Sequence, residues 1–311
     1  MINKIFYWFT KFLVVWVLVA SSLGYFFPKF FILLKPYTEW LFAFTMFGIG
    51  CILTKKDFLP IFKKPQIVFL GTLAQFLIMP ISGFLLAKLF KLPKELFLGT
   101  VLVGSVPGAM ASNVISYLAG ADVAYSVALT TTSTFLSPLL TPTFVYIFAH
   151  SIIKIKFFEM FFSIIRMVIL PVLVGMLFKH FFGKKLEKID NIFSFISSIF
   201  ITFICGLVVT LNRNFLKEAN LVIFIVVFLH NLIGLILGYI FAIIYKFDIK
   251  KKRALSIEVG MQNAGLGAVL ALKHFSPQSA IPNAIFTIWC IITASILAKV
   301  WGKNITEIKK N

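Results

Sequence analysis

The chain has 311 residues, 60% hydrophobic and only 13% charged, whereas soluble domains carry about 45–50% apolar and about 25% charged residues. A spanning helix takes roughly 20 apolar residues, so about ten spans with short loops would fill the chain. That leaves no room for a soluble catalytic, nucleotide-binding or DNA-binding domain, and neither a GxxxxGK[ST] loop nor an HExxH motif is present. The net charge of +19 sits in the gaps between apolar runs, where basic residues set topology and contact anionic lipid rather than nucleic acid.

In chain order, the apolar runs predict spans near residues 6–27, 37–54, 66–87, 96–118, 122–149, 157–178, 191–212, 220–245, 254–273 and 280–300. The first run ends in the bulky Tyr25-Phe26-Phe27-Pro28. It lacks the small-residue cleavage site of a removable signal and counts as a true span. Cys51, Cys205 and Cys290 lie in or at the ends of apolar runs without metal-ligand spacing and are expected to be core residues. Ten spans put both termini on one side, which carries 19 Lys and Arg against 10 on the other, with Arg166 inside the sixth span. By the positive-inside rule both termini are cytoplasmic, and the Lys-rich, Phe-rich composition makes a multi-pass protein of a bacterial inner membrane the expectation.

Five spans precede residue 152 and five follow. An odd number per half inverts the second half in the membrane, so the expected fold is all-α, with two inverted five-helix repeats. The fourth span carries Pro107-Gly108-Ala109-Met110-Ala111-Ser112-Asn113, and the ninth carries Glu258-Val259-Gly260-Met261-Gln262-Asn263-Ala264-Gly265. Both are interrupted by small, polar, helix-weakening residues, and Asn113 and Asn263 stand 150 residues apart. Such interruptions point to a transporter's binding site, because freed backbone groups at membrane depth need protein, water or ligand as partners.

Glu258 is the one acidic residue well inside a span and beside a break. A carboxylate there costs about 2.5–3.5 kcal/mol even on the lenient insertion scale. A proton, a basic partner such as Arg166, or a bound cation could offset that cost. The neighbourhood favours the cation. Gln262 follows one turn later, Ser112 and Asn113 supply oxygens from the other break, and Ser126 and Thr130 share a helix face. Hard oxygen donors suit an alkali cation. Gln75, in the middle of the third span, is equally a cation ligand or an interhelical hydrogen-bonding group. The remaining hydroxyls of Thr131-Thr132-Ser133-Thr134 are expected to bond back to their own helix, and His230-Asn231 to serve packing. No nucleophile–base pair is evident, so an enzyme is not expected.

At these residues the chain resembles the bile acid:sodium symporters and their bacterial homologues. The likeness runs through Gly104-Ser105-Val106-Pro107-Gly108, Ala111-Ser112-Asn113-Val114-Ile115-Ser116-Tyr117-Leu118-Ala119, Asp122 to Thr130, and Glu258 to Gly265. The resemblance implies helices 4 and 9 broken and crossing at the midplane. It implies a core domain over about 66–149 and 220–300, moving against a panel domain over about 6–54 and 157–212. It further implies two Na+ sites sharing Glu258. One would be formed by Ser112, Asn113, Ser126 and Thr130, the other by Gln75 and Gln262 with the carbonyls of Val259 and Met261.

An organic anion, bile-acid-like or a small carboxylate, would bind beside the crossover against Met110, Asn263 and Thr293. Ala109-Met110 departs from the Gly and small polar residue of many relatives. The departure implies a narrower cavity with one hydroxyl fewer. The expected activity is sodium-coupled uptake by alternating access. The alternatives are a proton-coupled or uncoupled carrier and a membrane sensor using the same site. The expected partners are sodium, the organic anion and the bilayer, with no nucleic acid and no obligate protein partner.

Overall fold

The structure, a computed structural model, describes residues 12–186, 190–214 and 221–308. Residues 6–11 of the first predicted span, Lys4, Lys188, Lys217, Lys309 and Lys310 lie outside the described residues. Apart from one isolated antiparallel bridge, the described elements are helices and turns. They are α1 (Leu13–Phe26), α2 (Pro28–Leu34), α3 (Thr38–Ile52), α4 (Leu59–Lys63), α5 (Pro65–Leu89), α6 (Lys94–Ser105), α7 (Ala111–Leu118), α8 (Val123–Ala149), α9 (Phe157–Ile164), α10 (Leu170–Leu186), α11 (Asp190–Leu211), α12 (Val222–Ile244), α13 (Ile249–Gly260), α14 (Ala264–His274) and α15 (Ile281–Ile308).

Among the described residues, five helices are long and apolar enough to cross a membrane: Pro65–Leu89, Val123–Ala149, Phe157–Gly183, Val222–Ile244 and Pro277–Gly302. A sixth candidate is the pair Leu13–Phe26 and Pro28–Ile52, bent by 102°. Pro28 causes that bend locally, since it disfavours helical geometry at Phe27 (φ −123°, ψ 65°). The third of these helices includes a π-helical turn at Ile165–Ile169, which carries Arg166 and joins α9 to α10. The predicted fourth and ninth spans are each two short helices, α6 with α7 and α13 with α14.

The helix ends follow from local chemistry. α5 and α12 stop on lysines in the left-handed region, Lys91 at φ 48° and Lys246 at φ 55°. Each is followed by a backbone bond five residues back, Leu92 N to Ala87 O and Phe247 N to Ala242 O, the Schellman closure that satisfies terminal carbonyls. α7 ends the same way on Gly120, at φ 60°, and Asp122 and Asp248 then cap α8 and α13 through Tyr125 N and Lys251 N, both at 3.0 Å.

Packing sorts the helices into two groups. In one, α10 lies along α3 with Gly50 against the Val172 backbone. α11 lies along α1, fixed by Thr210 Oγ1 donating to Gly24 O at 2.9 Å, and against α2 through the stacked rings of Phe31 and Phe203. In the other, α5 packs on α6, α8 and α12, and α12 on α13 and α15. Three contacts tie the groups together around the end of α14. Lys273 pairs with Glu39, His274 Nε2 meets Ser163 Oγ at 2.9 Å, and Asn212 Nδ2 donates to Pro277 O at 2.9 Å.

Candidate functional site

The two interrupted segments meet. α6 ends where Val106 turns extended (φ −79°, ψ 159°), and Pro107, having no N–H, adds no orphan donor to the break. α13 ends where Met261 does the same (φ −114°, ψ 107°). Ala109 N donates to Met261 O at 2.9 Å and Asn263 N to Pro107 O at 2.8 Å, forming the bridge between Gly108 and Gln262. Three backbone groups near the bridge find side chains. Gly108 N reaches Ser133 Oγ at 3.4 Å, Asn231 Nδ2 donates to Gly260 O at 2.7 Å, and Gln262 Nε2 donates to Val259 O at 2.8 Å. Such pairing lets irregular backbone exist in an apolar interior.

Glu258, on the last turn of α13, is 1% exposed. Ser112 donates to its Oε2 at 2.6 Å, Ser126 to the same oxygen at 3.1 Å, and Thr130 to Oε1 at 2.6 Å. Asn113 Oδ1 completes the cluster, 3.0 Å from Ser126 Oγ and 3.3 Å from Thr130 Oγ1. Six oxygens therefore share three hydroxyl protons. Among the described residues no salt bridge reaches Glu258. Arg166, the basic partner considered from sequence, lines instead a separate cleft of about 610 Å³ with Glu159, Ser163, Lys273 and His274. Glycine at 108 lets the carboxylate sit against the break, because a Cβ there would collide with Glu258 Oε1 unless that side chain moved.

The second predicted set is only partly joined. Gln75 Nε2 donates to Gln262 Oε1 at 2.7 Å, so Gln75 does bridge helices. Its own Oε1, however, is buried without a hydrogen-bond partner, an acceptor left for a donor or a cation. The carbonyls of Val259 and Met261 are each engaged, by Gln262 Nε2 and Ala109 N. No hydrogen bond links this set to the Glu258 carboxylate among the described residues.

Of the predicted substrate residues, Met110 and Asn263 flank the bridge, Asn263 capping α14 through Leu266 N at 3.1 Å. Thr293 donates to Asn231 Oδ1 at 2.7 Å and so backs the residue that holds Gly260 O. Asn113 lies within α7 whereas Asn263 caps α14, so the two asparagines occupy different places relative to their breaks.

Two hydroxyls of the site were not singled out by sequence. Ser133 receives Gly108 N, as above, and Ser116 donates to Ser126 Oγ at 3.2 Å. Only their helical spacing from Thr130 and Ser112 could have flagged them. Ser133 also bonds back to Thr130 O at 3.1 Å, as expected of the hydroxyl cluster. Thr131 and Thr132 depart from that expectation, because their buried Oγ1 atoms have no hydrogen-bond partner.

Comparison with known proteins agrees with the geometry: the profile of the Sodium Bile acid symporter family matches residues 40–219. The chain belongs to this family. Among its relatives, the Bacillus subtilis protein named "Uncharacterized sodium-dependent transporter YocS" is 42% identical over 293 residues, 94% of this chain and 91% of the relative. Two proteins named "Probable sodium/metabolite cotransporter BASS1, chloroplastic" also match. The one from Oryza sativa is 34% identical, covering 92% of this chain and 71% of the relative. The one from Arabidopsis thaliana is 32% identical, covering 93% and 73%. This member of the symporter family is a membrane-embedded transporter and not an enzyme.

Proposed function

We propose that the chain couples sodium influx to uptake of an organic anion by alternating access, with the first cation bound among Ser112, Asn113, Ser126, Thr130 and Glu258. One observation carries this: a buried carboxylate surrounded by hydroxyl and amide oxygens, with no basic partner among the described residues. Hard oxygens holding more lone pairs than protons are the donor set of an alkali cation. A second cation would lie toward the unpaired Oε1 of Gln75, with Gln262 and the carbonyls of Val259 and Met261. The relatives named for sodium dependence support the choice of ion.

The organic anion belongs on the other side of the bridge, against Met110, Asn263 and Thr293. There the N-termini of α7 and α14 offer partial positive charge, while the C-termini of α6 and α13 offer carbonyls to the cations. Two sodium ions entering with a monovalent anion carry one net charge inward, worth about 2.3 kcal/mol per 100 mV.

Ten spans in two inverted repeats accommodate the fold. The breaks fall in the fourth segment of each half, and the third segments, α5 and α12, share the left-handed lysine closure. We assign α1–α3 and α9–α11 to a panel and α5–α8 and α12–α15 to a core, a division supported by the packing of α10 on α3, α11 on α1 and α12 on α13. In the ten-span topology the ties at Glu39–Lys273, Ser163–His274 and Asn212–Pro277 would lie on the side opposite the termini, which suits a state closed toward the outside of a bacterial inner membrane. Uptake into proteoliposomes, with sodium, potassium or a proton gradient imposed in turn, tests the proposal. Concentration of an organic anion driven by sodium alone is expected; uptake driven by protons alone would reassign Glu258 as a proton carrier.

A further inference from the structure

Ser116 lies one turn beyond Ser112 on α7 and is completely buried, its hydroxyl 3.2 Å from Ser126 Oγ. Its position acquires meaning when the protons of the cation cluster are followed. Each hydroxyl has one proton and two lone pairs. With only the carboxylate present the protons point inward, as those of Ser112 and Thr130 do toward Glu258. A cation among the same oxygens requires lone pairs to point inward instead. Each proton must then swing outward to another acceptor, or remain buried without one.

Thr130 has such an acceptor on its own helix, Ser126 O at 3.0 Å. Ser126 does not. Its two inward acceptors, Asn113 Oδ1 at 3.0 Å and Glu258 Oε2 at 3.1 Å, are oxygens that the cation itself would claim. The remaining hydrogen-bond neighbour of its hydroxyl is Ser116 Oγ.

We infer that Ser116 is a positioning residue of the cation site. It accepts the Ser126 proton when the cation binds, so that Ser126 can turn a lone pair inward. The inference rests on the sodium reading above. Ser116 changes from donor to acceptor, and its own proton turns toward its helix backbone, as helical serines readily allow. No bond is made or broken beyond hydrogen bonds. The effect on the cation is indirect: without Ser116, a bound cation holds Ser126 with its proton either unpaired or competing for Asn113 and Glu258.

The test uses the purified full chain in detergent, titrated with sodium chloride at constant ionic strength against choline chloride, with thermal midpoint as readout. Ser116→Ala is expected to raise the half-saturating sodium concentration about five- to tenfold, the worth of one buried hydrogen bond. Its midpoint in choline should fall only slightly, by the single hydrogen bond to Ser126 that the substitution removes, because Ser126 keeps its inward acceptors there. Ser116→Cys, which keeps a side chain of the same shape with a larger atom that is a poor acceptor, should show the same rise. Wild-type sodium dependence in either variant overturns the inference, and so does a lower midpoint in choline with unchanged sodium dependence, which would make Ser116 a packing residue. A folded wild type indifferent to sodium would remove the sodium reading first, and this inference with it.

Discussion

The Thr130 hydroxyl donates to Glu258 Oε1 at 2.6 Å although the two residues are 128 positions apart in the chain. The bond joins α8 to the end of α13, and with those from Ser112 and Ser126 it makes Glu258 the meeting point of both halves. Replacing the carboxylate by an amide keeps the shape and removes the charge. Glu258→Gln should therefore abolish the rise in thermal midpoint that sodium gives the wild type, about 2.7 kcal/mol at a hundredfold excess over Kd. Membrane insertion should persist, because a buried charge has been removed. Sodium-driven uptake by Glu258→Gln or Glu258→Ala proteoliposomes should fall to the level of empty vesicles; full-rate uptake would show that the carboxylate is not the coupling group.

Gly108 faces the same carboxylate from the other break. A methyl at this position would meet Glu258 Oε1, and overpacking a close-fitted interior costs about 1–3 kcal/mol. Gly108→Ala is expected to lower the midpoint in choline and to weaken sodium binding at least tenfold, read from the same titration. Ala at 108 with unaltered sodium affinity would mean that Glu258 sits elsewhere when the cation is bound.

Gln75 bears on the number of cations. Its Oε1 has no hydrogen-bond partner while its Nε2 holds Gln262. If a second sodium binds there, wild-type uptake should rise with sodium with a Hill coefficient near two, and Gln75→Ala should reduce it toward one. The first site, on Ser112 and Thr130, remains intact in that variant, so thermal stabilisation by sodium should persist in reduced form. A Hill coefficient of one in the wild type would leave a single cation.

Asn231 and Thr293 separate structural support from substrate contact. Asn231 Nδ2 holds Gly260 O, and Thr293 donates to Asn231 Oδ1 while also reaching Trp289 O at 3.1 Å. Asn231→Ala leaves a buried carbonyl unpaired, which costs about 1–3 kcal/mol, so its midpoint should drop equally in sodium and choline. Thr293→Val keeps Asn231 in place and should cost less. If Thr293 touches the substrate, its effect should appear as a higher KM for uptake with a nearly normal midpoint.

Much of this site was legible in the chain because it is written in residue types that an apolar span otherwise avoids. Glu258 inside a hydrophobic run, the Pro-Gly and Gly-Met-Gln-Asn interruptions, and Ser126 and Thr130 on one helix face each stand out against their surroundings. Helical periodicity puts Ser126 and Thr130 on one face, and the resemblance to the bile acid:sodium symporters implies their grouping with Ser112, Asn113 and Glu258.

Burial in an apolar medium leaves few options for backbone or charge, so the residue pattern already specifies an all-helical membrane protein with two broken segments, and the family resemblance implies the oxygen donors around Glu258. The tertiary structure decided what depends on distance across the chain. It set Arg166 in a separate cleft, engaged the carbonyls of Val259 and Met261 in other hydrogen bonds, and brought Ser116 to Ser126. Serine is as suitable for close packing as for hydrogen bonding. Only the packing of α7 against α8 shows which task a given hydroxyl performs.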